Sequence, residues 1–279
     1  MLKIILEMTD NNNYSSGMNM KNSNGARDTI ENESIHELPH CGLKIIQKEE
    51  NFCFGTDAVL LTEFSKVRKN DVAVDLGTGT GIIPILKSVR SKCSNFTGVE
   101  IQEYEAHLAE RNVHLNSLQE RIKIIKGDLR KINQLLPANS ATVVICNPPY
   151  YSDSEGEKNA SKAKASSRHE SLCTLSDVAK AASYLLNSNG RFFMIHRPQR
   201  LSEIFSSLKE FSLEPKRIKF VQAFKDREPN LVLIEAHKNA PCSLRFDPSL
   251  TVYEKAGVYT EEMKKVYDYV FAGEFYEGK

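Results

Sequence analysis

The stretch Val72-Ala73-Val74-Asp75-Leu76-Gly77-Thr78-Gly79-Thr80-Gly81 constrains the fold more than any other. An apolar, β-branched run breaks into three glycines at alternate positions. A helical pattern follows from about Ile82, with Pro84 in its first turn, where a missing N–H costs little. The chain then repeats strand and helix. Asn95 to Glu100 reads as a strand leading into a helix to about Leu118, and Ile122 to Lys126 as a strand before a helix at Lys131 to Leu136. Thr142 to Cys146 is a strand, Leu175 to Leu186 a helix closed by Asn189-Gly190, Arg191 to His196 a strand and Pro198 to Phe211 a helix. Arg217 to Phe224 and Leu231 to His237 have no helix between them, so they form an antiparallel pair. The alternation predicts an α/β fold, a doubly wound, seven-stranded, mostly parallel sheet with an antiparallel last strand.

The flanks read differently. Residues 1–37 are rich in Asn, Ser, Gly and charge, and are expected to be a disordered tail. The α/β domain takes 38–240, entered by a short strand at Leu43 to Gln47 and a helix from Ala58 to Ser65 capped by Asp57 or Thr56. In the C-terminal extension, 241–279, Thr260 caps a helix whose Met263, Val266, Tyr267, Val270 and Phe271 make one apolar stripe that packs on the domain or on a partner. The net charge of +1 leaves no global basic field, so any nucleic-acid contact needs a local patch. The six scattered cysteines lack a C-x-x-C pair and read as reduced thiols of a cytoplasmic protein, neither a disulfide framework nor metal ligands. No apolar run approaches the roughly 20 residues of a membrane span, and Met1 to Leu6 is too short a core for a signal peptide.

Chemistry gathers where predicted strands end, the edge at which open α/β sheets bind ligands. A carboxylate before the glycine turn, Asp75, would repel a pyrophosphate, whereas S-adenosylmethionine brings a cationic ammonium and sulfonium and no phosphate. Gly77, Gly79 and Gly81 then serve close backbone approach. Glu100, at the end of the second strand with Ile101 after it, is placed for the two hydroxyls of a ribose. Asp128, followed by Leu129, is placed to accept from the cofactor's adenine amino group. Each acid alone is an ordinary loop residue; three at successive strand ends form a pattern.

The fourth strand ends in Asn147-Pro148-Pro149-Tyr150. Two prolines supply no N–H, so the turn presents carbonyls and the Asn147 amide, an acceptor rim suited to an amino group. A conjugated amino group is a poor nucleophile. If the Asn147 oxygen and the Pro148 carbonyl each accept one N–H, the nitrogen is drawn towards tetrahedral geometry with its lone pair aimed at the methyl donor. Tyr150, with Tyr151, offers a face for a flipped base, a contact worth roughly 1 to 3 kcal/mol; the same rings can instead cover the sheet edge.

D-L-G-T-G-T-G with N-P-P-Y resembles the class I S-adenosylmethionine-dependent methyltransferases that modify exocyclic or amide nitrogens, over roughly Leu38 to Lys238. Phe52 to Leu61, F-C-F-G-T-D-A-V-L-L, and Arg168-His169-Glu170 are similar to the bacterial tRNA(Val) adenine-N(6)-methyltransferases. That resemblance implies methylation of an adenine beside the anticodon. It also implies that Phe54, Thr56 and Asp57 lie over the methionine end of the cofactor, with Asn147 shared between cofactor and catalysis, and His169 near the RNA. Lys158, Lys162, Lys164 and Arg168, with no acid among them, read as a solvated loop or as an arm that orders on a phosphate backbone, which Lys216, Arg217 and Lys219 would extend. His169 lacks a Cys or His partner at ligand spacing, so no metal is expected. Oligomeric state is not legible. Release-factor-type glutamine methyltransferases and DNA adenine methyltransferases share N-P-P-Y. The former usually carry a helical N-terminal domain and the latter a target-recognition domain; neither is visible here.

Overall fold

The computed structural model describes residues 33–38, 42–48, 55–93, 95–150 and 173–271. Strand β1 (Glu33–Glu37) and β2 (Lys44–Lys48) precede α1 (Thr56–Phe64). The alternating core is β3 (Ala73–Leu76), α2 (Ile82–Ser91), β4 (Phe96–Glu100), α3 (Glu103–Leu115), β5 (Ile122–Lys126), α4 (Ile132–Leu135), β6 (Ala141–Cys146), α5 (Leu175–Leu185), β7 (Leu186–His196), α6 (Leu201–Glu210), β8 (Leu213–Gln222) and β9 (Leu231–Lys238). The C-terminal part adds β10 (Arg245–Phe246), β11 (Leu250–Thr251), β12 (Tyr253–Lys255), β13 (Val258–Tyr259) and α7 (Glu261–Phe271).

Seven long strands lie in the order β8-β9-β7-β6-β3-β4-β5, and two-residue β10 and β11 pair in parallel with β8, giving a nine-stranded sheet. Only β9 runs against its neighbours. From β3 the chain steps outward through β4 and β5, then returns to the other side of β3 as β6. That reversal opens a crevice at the C-terminal ends of β3 and β6, where sheets of this type hold ligands. The register sets Leu76 opposite Cys146, so the glycine turn and Asn147 leave adjacent strands side by side.

Strand residues alternate between two cores. Val143 and Ile145 face the layer with α1, α2 and α7, while Val144 and Cys146 face α5 and α6. Helix α1 is apolar on nearly every side, because the sheet covers one face and α7 the other. Met263, Val266, Val270 and Phe271 of α7 are buried, at about 1.5 to 3 kcal/mol for each large apolar side chain. Thr260 Oγ1 accepts the Met263 N–H at 3.1 Å, the expected cap. The extension thereby clamps the helix that carries Thr56 and Asp57.

Several expectations change. Residues 33–37, assigned to the tail, form β1, paired with β2. Local composition conceals this because the stabilising partners are distant. Glu33 accepts from Arg111 at 2.6 Å and from Tyr104 at 2.8 Å, and Asn112 of α3 and Asn116 at its C-cap bond the backbone of β2. The N-cap of α1 is Gly55, and the backbone N–H that Asp57 accepts is that of Ala58 beside it. Strand β8 begins at Leu213, four residues before its expected start, and β7 begins at Leu186, directly where α5 ends. The proposed patch residues are committed elsewhere. Arg217 pairs with Glu235 and Asp247 and lies over the Phe64 ring, Lys219 pairs with Glu262, and Lys216 donates to the Pro241 carbonyl.

Candidate active site

The turn after β3 is built for close approach. Gly77 and Gly79 have φ of +72° and +54°, and a β-carbon on either would meet nothing within 4 Å, so the space above them is open. Gly81 serves packing, since a β-carbon there would sit 3.3 Å from Ala109 of α3. The Gly77 and Thr78 N–H groups both reach the Val99 carbonyl, which ties the turn to β4.

Around this turn stand the acids. Asp75 lies inside β3, one residue before its end, and is 1% exposed. Among the described residues neither of its oxygens has a hydrogen-bond partner. Burial raises its pKa to about 7 from the ordinary carboxylate range; nearby Thr78 opposes this and Glu100 adds to it. A buried carboxylate without donors is costly, and a cationic ligand removes that cost. Glu100 is also buried, its Oε2 accepting the Gly79 N–H at 3.0 Å and its Oε1 the Gln102 N–H at 2.9 Å. Each oxygen keeps a lone pair for a hydroxyl. Ile101 follows it, partly buried. Asp128 is engaged differently: it accepts the Arg130 N–H at 2.9 Å and pairs with that guanidinium at 2.7 Å, which holds its pKa down. Leu129 packs beside it on the α5 side.

At the end of β6 three expected residues meet. The Tyr150 hydroxyl lies 2.8 Å from Asp57 Oδ2 and 3.0 Å from Asn147 Oδ1. Burial, then Asp57, pushes the phenol well above its ordinary pKa. Among the described residues nothing donates to the Pro148 carbonyl. Thr56 lies near Tyr259 of the extension. Phe54, Tyr151, Lys158, Lys162, Lys164, Arg168 and His169 lie outside the described residues.

Two residues of the site escaped the sequence reading. His196 ends β7 beside β6, fully buried, its ring edge-on to Tyr150 at 5.4 Å. Its Nδ1 accepts the Arg197 N–H at 2.8 Å, so Nε2 carries the proton, without a partner. Burial, with Arg200, lowers its pKa to about 4, and the imidazole is neutral at physiological pH. The Arg197 guanidinium sits 5.6 Å from the Tyr150 ring centroid. The one sequence signal was His-Arg at the end of an apolar strand, and only the β6–β7 pairing brings it to Asn-Pro-Pro-Tyr.

An orphaned buried carboxylate, an open glycine cradle and a second acid bonded to that cradle fit S-adenosylmethionine, and with this topology they define a doubly wound methyltransferase. The chain belongs to the methyltransferase small domain family, whose model matches residues 49–211. A tRNA1(Val) (adenine(37)-N6)-methyltransferase of Photobacterium profundum is 23% identical over 211 residues, covering 75% of this chain and 86% of that protein. A protein of the same description from Porphyromonas gingivalis is 27% identical over 219 residues, covering 75% and 84%. Among solved structures, a protein of Agrobacterium tumefaciens described as a predicted O-methyltransferase superposes with a TM-score of 0.64 at 20% identity, over 80% of this chain and all of that one, a likeness of fold.

Proposed function

We propose that this protein transfers the methyl group of S-adenosylmethionine to the exocyclic 6-amino group of an adenine in tRNA, beside the anticodon of a tRNA(Val)-type molecule, in the cytoplasm. One observation carries the reading. An acceptor pair, the Asn147 amide and the unclaimed Pro148 carbonyl, leaves the sheet next to the glycine cradle, in a chain whose relatives are named for adenine N6 transfer. The catalytic unit is residues 38–240, joined by the hairpin strand that begins at Glu33, and 241–279 is an extension that steadies α1.

In this reading Asp75 meets the cofactor's positive charge, Gly77 and Gly79 let the chain's backbone approach it while Gly81 seats the turn against α3, and Glu100 takes the ribose hydroxyls. Asp128, with Ile101 and Leu129, borders the adenine, and Phe54, Thr56 and Asp57 cover the methionine end. S-adenosylmethionine supplies an electrophilic methyl, so the N–C bond forms as the C–S bond breaks and sulfur keeps the electron pair. Asn147 and Pro148 accept the two N–H bonds of the target, fix the lone pair on line and stabilise the positive charge that builds on nitrogen. The surplus proton leaves to water after transfer, so neutral His196 need not act as a base. Tyr151, Lys158, Lys162, Lys164, Arg168 and His169 are the proposed RNA contacts.

Purified protein with labelled S-adenosylmethionine is expected to label tRNA from a strain lacking it, and nuclease digestion to release N(6)-methyladenosine. Label confined to a glutamine in the protein fraction, or to DNA, would overturn the substrate and leave the family standing.

A further inference from the structure

We propose that Asp57 is a positioning residue that sets the polarity of the Asn147 amide through the Tyr150 hydroxyl. The proposal rests on the reading that Asn147 presents its oxygen to the target amino group. One phenolic proton faces two acceptors, Asp57 Oδ2 at 2.8 Å and Asn147 Oδ1 at 3.0 Å. A phenol donates one bond, and the carboxylate, shorter and charged, takes it. The remaining contact would then set two oxygens with no proton between them 3.0 Å apart. A half-turn of the amide relieves this. Asn147 Nδ2 donates to the phenol oxygen, Tyr150 donates to Asp57, and Asn147 Oδ1 points away from the relay, free to accept from a substrate.

Local construction supports the direction. Asp57 Oδ1 is fixed by the Ala58 N–H at 3.0 Å, which leaves Oδ2 for Tyr150. Gly55 makes room, because a β-carbon there would lie 2.4 Å from Asp57 Oδ1. The His196 ring and the Arg197 guanidinium hold the Tyr150 ring from its other sides. Asp57 thus acts on the acceptor rim, from a helix that α7 holds against the sheet.

Asp57→Asn has the same shape and the opposite polarity. Its oxygen is taken by the Ala58 N–H, its NH2 donates to Tyr150, and Tyr150 then donates to Asn147 Oδ1 and sequesters it. The expected order of single-turnover rates on tRNA is wild type, then Tyr150→Phe about tenfold slower, as for one lost hydrogen bond. Asp57→Asn is slowest, on the order of a hundredfold. The double variant Asp57→Asn/Tyr150→Phe recovers to the rate of Tyr150→Phe alone, because the wrong-way donor is gone. Melting temperature stays at the wild-type value throughout, and the rates are read at saturating S-adenosylmethionine, so any contact of Asp57 with the cofactor drops out of the comparison. A merely structural role predicts a double variant no faster than Asp57→Asn, and that result overturns the proposal. The Asn147 side-chain amide resonances of 15N-labelled protein need no substrate. They should move on Tyr150→Phe; no change refutes the relay even if wild type labels no tRNA, which by itself would sink only the substrate reading.

Discussion

Asp71 and Asp75 stand four residues apart, one two residues before β3 and the other near its C-terminal end, and their surroundings are opposites. Asp71, two residues before β3, accepts from the Arg68 N–H at 2.6 Å, Thr142 Oγ1 at 2.7 Å and Arg191 Nη2 at 2.6 Å. Burial would raise its pKa, yet these donors hold it below the ordinary carboxylate range. Asp75, at the C-terminal end, has none, and burial lifts it to about 7. One end of the sheet is electrostatically complete and belongs to the fold. The other is left incomplete, beside an open cradle and an acceptor rim, and in the proposed reading its missing partners are the ligands.

The contrast is sharpest if each end is broken separately. Arg191→Ala strands a partly buried Asp71 charge and should destabilise the protein by about 3 to 5 kcal/mol. Thermal melts would register this, while the folded fraction keeps its cofactor affinity. Because Asp71 has a lowered pKa, its contribution is present above the ordinary carboxylate range and fades as the pH falls through it, so wild type and Arg191→Ala should converge in acid. Asn147→Ala works in reverse: melting and cofactor affinity hold, and the methyl-transfer rate falls on the order of a hundredfold, as for loss of a polar group at a reacting centre. A variant within a few-fold of wild type in single-turnover assays would remove Asn147 from the chemistry.

Periodicity and punctuation made the sheet legible. The glycine turn, the alternation and the two uninterrupted final strands specify order and direction, because crossover handedness and the antiparallel pair leave few topologies. Hidden from the sequence were features that depend on distant partners. Glu33 to Glu37 looks like tail because Arg111, Tyr104 and β2 are far along the chain. Arg217 looks available for RNA because Glu235, Asp247 and Phe64 are equally far. The gathering of Asn147, Glu100 and the glycines at neighbouring strand ends was readable. His196 and the Asp57–Tyr150 contact were not, since neighbouring strands in space are not neighbours in sequence.

Asp75 is where the two ends of β3 part company, and its charge state gives the most direct measurement. In the ligand-free protein its raised pKa favours the fold below the ordinary carboxylate range, an advantage lost as the pH rises through about 7. A ligand ammonium, the one positive group that S-adenosylhomocysteine carries, reverses that preference when it meets the carboxylate, so binding must displace a proton below pH 7. Calorimetric titration of S-adenosylhomocysteine into wild type should give an affinity about tenfold weaker at pH 6 than at pH 8, as a single group with that pKa requires. In Asp75→Asn the affinity should be weaker at pH 8 and free of this component, any titration of the ligand itself cancelling between the two proteins. Equal affinities and equal pH profiles for wild type and Asp75→Asn would contradict the claim that this unpartnered carboxylate awaits the cofactor.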